Sequence, residues 1–284
     1  MKEIQKELSD YLQPLYYFYK TPAAYGYIIK PKDDDAARNI VTAAQKHSAH
    51  DYLLNIDIKD FFHYVSWQKI YESLTAQPFC LHHTVSESIC HLCTFNGRLP
   101  MGAPTSPALS NMAAMPLDTE LQNYCNGEGI TYTRYVDDMS FSSNTEITQR
   151  HFAQLSGIVT GMNYPLREEK IKWFKPGEVK TITGLSAYNG KVSVPDAYLS
   201  ETEEEIKNLK AFVLMQARLH PNTFSEQMFS VPVQKIKGAL AFIEAVHGSN
   251  FEKLNSMEQQ LENALVQPAD YESLNWLEIG YTFF

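Results

Sequence analysis

Positive charge is in short supply in this 284-residue chain: 24 lysines and arginines stand against 33 aspartates and glutamates, a formal net charge of −9. Taken alone, that balance argues against a protein that lives on nucleic acid, because phosphate neutralisation draws on a basic surface. The shortage is uneven. Residues 254–284 contain no lysine or arginine and carry Glu258, Glu262, Asp270, Glu272 and Glu278. Setting those five aside leaves about half of the deficit, so the composition is compatible with a local basic stripe elsewhere. Cysteine is scarce as well. Cys80, Cys90, Cys93 and Cys125 are too few and too irregular for a disulfide scaffold, which points to a reducing cytoplasm. No apolar run reaches the roughly eighteen residues of a membrane-spanning helix, which excludes a membrane partner, and the first seven residues mix charges where a signal peptide would be apolar. Repeats and low-complexity tracts are absent. What remains is 44% apolar and 20% charged, ordinary for a folded soluble chain long enough to bury a core in one large domain or two modest ones.

Periodicity predicts a mixed α/β body followed by a helical module, with the boundary near residue 196. Ile4, Leu8, Leu12 and Leu15 share one face of a helix over 3–19, and a helix over 36–47 is expected to open at the acidic run Asp33–Asp35. The apolar run 52–57 reads as a buried strand ending in a carboxylate, Asp57. A long helix is expected from Ser106 to Tyr124. The β-branched and aromatic run 130–136 then meets Asp137-Asp138 at the turn of a hairpin, and Asn189-Gly190 marks a second hairpin. Beyond Pro195 the pattern is helical over 197–219, 233–246 and 251–265.

Two carboxylate sites carry chemistry. If the hairpin bearing Asp137 and Asp138 pairs beside the strand ending at Asp57, three carboxylates converge. Hard Mg²⁺ ions take such oxygen ligands and complete their shell with water and substrate phosphates. An Asp-Asp pair by itself is most often a surface turn; its surroundings change that reading. A second donor set, Cys80, His82, His83, Cys90 and Cys93, has zinc-type ligands. Cys90 and Cys93, at i and i+3 of an apolar helix, read first as buried free thiols.

Three segments occur in order: Leu54-Asn55-Ile56-Asp57-Ile58-Lys59-Asp60-Phe61-Phe62, Leu99-Pro100-Met101-Gly102-Ala103-Pro104-Thr105-Ser106-Pro107, and Tyr132-Thr133-Arg134-Tyr135-Val136-Asp137-Asp138-Met139-Ser140-Phe141-Ser142. Together they closely resemble the reverse transcriptases, in particular the bacterial retron and phage-defence lineage. Leu166-Arg167-Glu168-Glu169-Lys170 resembles that family's lysine motif and Ile182-Thr183-Gly184-Leu185 its Val-Thr-Gly element. Ala43-Ala44-Gln45-Lys46-His47 sits where retrons carry Asn-Ala-x-x-His. The resemblance covers roughly residues 20–250.

The resemblance implies a right-hand polymerase of mixed α/β (α+β) class. Its parts would be reduced fingers and N-terminal helices over 1–50, a palm over 51–195, and a helical thumb with an acidic tail over 196–284. It further implies RNA-templated DNA synthesis from dNTPs on a nucleic-acid primer, with a noncoding RNA as template and a role in antiviral defence. Asp57, Asp137 and Asp138, with Ile58 beside them, would hold Mg²⁺, for which Mn²⁺ is a possible substitute. Phe62, five residues after Asp57, occupies the steric-gate position. Met101, Gly102 and Lys170 would meet the nucleotide; Gly102 would let backbone approach it closely. Arg167, Lys172 and Lys175, with Thr183 and Gly184, would meet nucleic acid. Lys180 extends that basic cluster, and Trp173 and Phe174 are interleaved for base stacking; an amphipathic strand would produce the same pattern.

The chain also departs from the family. Met101 stands where a glutamine is usual, Ala43 where retrons have asparagine, and only 56 residues precede Asp57. The fingers are therefore expected to be reduced, with Lys30 and Lys32 as substitutes for a missing basic strand. Two further readings follow, a polymerase that needs no nucleic-acid template or is protein-primed, and a non-catalytic RNA-binding scaffold. A partner is also expected over the face of Leu8, Leu12 and Leu15: a second copy, another protein, or a structured RNA held against residues 167–180.

Overall fold

The computed structural model describes residues 1–29, 37–219 and 226–265. Lys30, Lys32, the Asp33–Asp35 run and the tail acids Asp270, Glu272 and Glu278 lie outside the described residues. The chain divides into two compact units, Met1–Val192 and Ser193–Phe284.

The centre of the first unit is an antiparallel four-stranded sheet of order β2-β3-β1-β4, made of β1 (Tyr52–Asp57), β2 (Thr131–Tyr135), β3 (Asp138–Ser143) and β4 (Lys172–Phe174). Side chains alternate across a strand, and residues directly opposite one another share a face. Leu54 and Ile56 of β1 therefore lie on the side of Met139 and Phe141 of β3, which pair with Arg134 and Tyr132 of β2. Between Ile56 and Leu54 this back face is apolar apart from Arg134 and the Tyr132 hydroxyl, and Ser143 opposite Tyr52 lies at its far end. The front face carries Asn55 and Asp57, opposite Ser140 and Asp138.

The back-face residues are part of a core shared with α1 (Lys2–Tyr19), α4 (Trp67–Thr75), α5 (His83–Cys93) and α6 (Ser106–Glu128). α6 begins with Pro107 in its first turn and stops at Gly129 in the left-handed region (φ 67°). α2 (Ile40–His47) contacts β2 and β3. A second sheet, β5 (Lys180–Ile182), β6 (Leu185–Tyr188) and β7 (Lys191–Ser193), turns at Asn189–Gly190, where the Gly190 N–H donates to the Ser48 carbonyl (2.9 Å).

Three expectations change. α2 starts at Asn39, not at the acidic run, because Asn39 and Thr42 satisfy one another's backbone N–H groups (2.9 and 3.0 Å). The hairpin turn is Val136–Asp137, since Tyr135 pairs with Asp138 and makes the second acid the first residue of β3. Leu8, Leu12 and Leu15 are not a free face. Leu12 is buried in the chain's own core and the other two pack partly against it, leaving Ile4, Tyr11 and Phe18, seven apart, with Tyr19 at the helix end, as the exposed large apolar positions of α1.

In the second unit α8 (Asp196–Leu219), α9 (Ser230–His247) and α10 (Glu252–Leu265) contact one another and bury Leu199, Ile206, Leu209, Ile236, Leu240, Ile243, Leu254, Met257 and Leu261. Among the described residues no helix is long and apolar enough to cross a membrane.

His47 ties α2 to the sheet. Its fully buried ring bonds the Ser142 and Thr133 hydroxyls, each at 2.7 Å. Burial, with His50 and Lys46 nearby, lowers its pKa to about 3, so it is neutral in the folded protein. Unfolding frees an imidazole that takes up a proton below about pH 6.5. Stability from this source is therefore complete above about 6.5 and is lost as pH falls toward 3, by about 1.4 kcal/mol per pH unit. Urea midpoints at stepped pH are expected to fall less steeply for His47→Gln than for the parent below about pH 6. Identical slopes would mean that His47 is not the neutral brace described.

Candidate active site

The expected acids come together. Asp57 and Asp138 are paired in register on the front face, and the Ile58 N–H donates to the Asp137 carbonyl (2.9 Å), fastening the turn to the end of β1. Around them is a cleft of about 520 Å³ lined by Tyr27, Asp57, Asp60, Phe61, Phe62, His63, Met101, Tyr135, Val136, Asp137, Asp138, Arg167, Lys170 and Thr183. Four of the eight non-glycine residues with positive φ among the described residues line it: Tyr27, Asp60, Val136 and Thr183. Such conformations cost about 1–3 kcal/mol each and gather where a site demands them.

Four carboxylates face two cations in this cleft. Lys170 Nζ donates to Asp57 Oδ2 (2.9 Å), and the Arg167 guanidinium lies 3.4 Å from Asp57 Oδ1 and 3.7 Å from Asp60. Asp57 is buried, and its Oδ1 has no hydrogen-bond donor. Burial raises the Asp138 carboxyl to about 6, with Asp57 and Asp137 adding repulsion; Lys170 and a backbone hydrogen bond from Thr183 act the other way. Burial also raises Asp137. Among the described residues no three acid, histidine or cysteine side chains form a ready cage for an ion, and Lys170 covers one oxygen that such an ion would use. The donor set nonetheless fits a hard divalent cation. It is all oxygen, one buried oxygen lacks a donor, and Asp57 and Asp137 add repulsion to the burial that raises Asp138.

The acid turn is held from behind. Val136 has φ 61°, a genuine outlier for a β-branched residue. Its carbonyl accepts a bond from Arg134 Nη1 (3.0 Å). Arg134 lies on the back face, wholly buried, with Nε and Nη2 each 2.7 Å from a carboxylate oxygen of Asp118 on α6. Thr21 and Tyr132 also donate to Asp118 (2.8 and 3.0 Å). Asn111 accepts from Arg134 (3.2 Å) and donates to the Gly26 carbonyl (2.9 Å). A β-carbon on Gly26 would lie 2.7 Å from both Val136 N and Val136 Cγ2, so only glycine permits this approach. None of these residues was singled out from the sequence. The available signal was Asn111 and Asp118, seven apart on the buried side of a helix that is otherwise largely apolar.

The other expected residues divide. Phe62 and Met101 line the cleft, Phe62 half-buried against Phe61 and Tyr27 (ring centroids 5.7 and 6.2 Å apart) and Met101 75% exposed. Gly102 has φ 79° and nothing within 4 Å of a built β-carbon; within the chain it is conformation, not crowding, that requires glycine. The side chain of Ile58 is in the core, so only its backbone can face an ion. Thr183 lines the cleft, and Gly184 follows it in the tight turn to β6. The basic cluster does not stay together. Arg167 and Lys170 turn to the acids and Lys172 and Lys175 are exposed, but Lys180 is buried. Trp173 packs on the core and meets Phe152 edge-on (5.8 Å), which removes it as a stacking platform. The zinc set also separates: Cys80 is exposed, while Cys90 and Cys93 are in the core and burial pushes the Cys90 thiol up to about 12.

Residues 1–217 match the family described as Reverse transcriptase (RNA-dependent DNA polymerase). Among curated proteins, the chain is 26% identical over 228 residues to the retron Ec86 reverse transcriptase of Escherichia coli, covering 79% of this chain and 65% of that protein. It is 26% identical over 248 residues to the retron Mx162 reverse transcriptase of Myxococcus xanthus, covering 78% of this chain and 48% of the relative. The chain thus spans about half to two thirds of the length of these relatives. Among solved structures, a telomerase from Candida albicans, in complex with a fragment of telomeric RNA, superposes with a TM-score of 0.50 at 8% identity, covering 93% of this chain and 55% of that one. That likeness shows the fold alone.

The buried pair supports a stability test. Removing one partner strands the other charge in the core at a cost of about 3–5 kcal/mol, whereas removing both costs less than the two single changes together. Arg134→Met and Asp118→Leu are each expected to lower the urea unfolding free energy by about that amount, and the double variant by clearly less than their sum. Strict additivity would show the two residues to be uncoupled.

Proposed function

Because the chain belongs to the reverse transcriptase (RNA-dependent DNA polymerase) family, we propose that its cleft catalyses nucleotidyl transfer from dNTPs to a primer 3′-hydroxyl on an RNA template. The observation that carries this is the pairing of Asp57 with Asp138, beside Asp137, in a cleft bordered by Phe62, Met101 and Lys170. On this reading Asp57, Asp137 and Asp138, with the Ile58 backbone, hold Mg²⁺, or Mn²⁺ in its place. The ion supplies the charge that activates the primer hydroxyl and offsets the leaving pyrophosphate.

The chain's own groups do the rest. Lys170, which contacts Asp57 at the cleft wall, is placed to donate a proton at the leaving phosphate. Phe62 fills the space that a ribose 2′-hydroxyl would need. Arg167, released in part from Asp57 and Asp60, is available to a phosphate. Lys172 and Lys175, both exposed, meet the nucleic-acid backbone together with the Thr183–Gly184 turn. The first unit then corresponds to the palm and fingers and the second to the thumb. Kinship with retron enzymes supports a noncoding RNA as template, with an antiviral role. A second reading, an RNA-binding scaffold, draws on the contact between Asp57 and Lys170, which leaves the acids short of a formed cage.

Asp137→Asn is expected to lower dNTP incorporation with Mg²⁺ on an annealed RNA–primer pair by about 10²–10³-fold or more, with little change in thermal stability. Incorporation at the parent's rate would refute the mechanism, and a parent inert on every template would favour the scaffold. Phe62→Ala is expected to narrow the preference for dNTPs over rNTPs by about tenfold. An unaltered preference in a folded, active variant would assign Phe62 to packing alone.

A further inference from the structure

We propose that a second cavity beside the acid cleft binds inorganic pyrophosphate. The cavity, of about 560 Å³, shares Asp60 and His63 with the cleft and is otherwise bordered by Lys69, Gly97, Arg98 and Asn163, among others. Its lysine and arginine lack acidic partners. Among the described residues neither Lys69 nor Arg98 has a carboxylate within ion-pairing distance, although the chain carries nine more acids than bases. Asp60, the one acid on the cavity wall, is paired with Arg167.

Both cations have fixed surroundings. The Lys69 ammonium sits 3.3 Å from the centroid of the Tyr164 ring and makes one long bond, 3.4 Å, to the Asn163 carbonyl. Two of its three protons are thus left for a ligand, and burial draws its pKa down to about 8. Arg98 closes a tight turn, Phe95–Arg98, whose ends exchange backbone bonds of 2.8 and 3.1 Å. The Trp67 N–H anchors that turn through the Gly97 carbonyl (2.8 Å). Two unneutralised cations around one cavity, one held by Tyr164 and Asn163 and one standing on a fixed turn, suit a compact ligand carrying several negative charges. Nucleotidyl transfer releases such a ligand next door; the choice of pyrophosphate rests on that reading of the cleft.

Calorimetric titration of the whole chain with sodium pyrophosphate, in EDTA and without divalent ions, tests the site apart from catalysis. The parent is expected to bind, Arg98→Ala and Lys69→Met to bind at least about tenfold more weakly, and Asp137→Asn to keep its affinity. Arg98 is exposed on a turn, so its variant serves should Lys69→Met fail to fold. Absence of binding by the parent, equal affinity in Arg98→Ala, or binding that disappears with Asp137 would each overturn the proposal. So would a single-stranded oligonucleotide, but not pyrophosphate, responding to the two substitutions, since the cavity would then belong to a strand. Primer extension on the same samples separates the two readings. A parent that binds pyrophosphate but never extends a primer retains the site and loses the polymerase reading, and a parent that extends without binding does the reverse.

Discussion

The contact between Arg134 and Asp118 is the one on which the geometry of the acid cleft depends. A guanidinium wholly removed from water is tolerable only if its donors are met, and here Asp118, Asn111 and the Val136 carbonyl meet them. The last of these bonds matters most for the front of the sheet. Val136 is a β-branched residue in the left-handed region, a conformation that relaxes unless its surroundings enforce it. The arginine grips its carbonyl from below and Gly26 presses on it from the side. With α6 and the 21–26 loop so joined to the hairpin, Asp137 is held one residue beyond a fixed point.

The two faces of the central sheet therefore do opposite electrostatic work. Behind, one arginine and one aspartate neutralise each other within hydrogen-bond distance and add nothing to the field outside. In front, carboxylates outnumber cations, and Asp57 and Asp137 add to the burial that raises the Asp138 carboxyl. A pair of antiparallel strands can carry both arrangements because each successive side chain crosses to the other face. Arg134 is three residues from Asp137 along the chain, yet each serves its own side of the sheet.

Much of this was legible in the sequence, and the remainder was hidden for identifiable reasons. Apolar periodicity located most of the helices and the main strands, and the hairpin signal at Asn189–Gly190 held. Asp57, Asp137, Asp138, Phe62 and Lys170 could be named because they sit in ordered motifs. The start of α2 was missed since an Asn-Thr capping box is a weaker mark than three acids in a row. Lys180 and Trp173 were assigned to nucleic acid from composition, which cannot say which way a short strand faces; the structure buries the first and packs the second against Phe152. The Arg134 network escaped because its members come from three separate segments, and pairing between distant polar residues leaves no local pattern.

The closeness of Gly26 to Val136 bears on how this chain can vary. Thr21, Gly26, Asn111, Asp118, Arg134 and Val136 are spread over more than a hundred positions but meet as one mechanical unit. A survey of tolerated substitutions would find forbidden positions in a loop that looks dispensable and on the hidden side of a helix. Such a map would follow connectivity through the hydrogen bonds rather than distance from the acids. Drift in this lineage would accordingly be slow at sites that never meet a substrate as well as at the acids themselves.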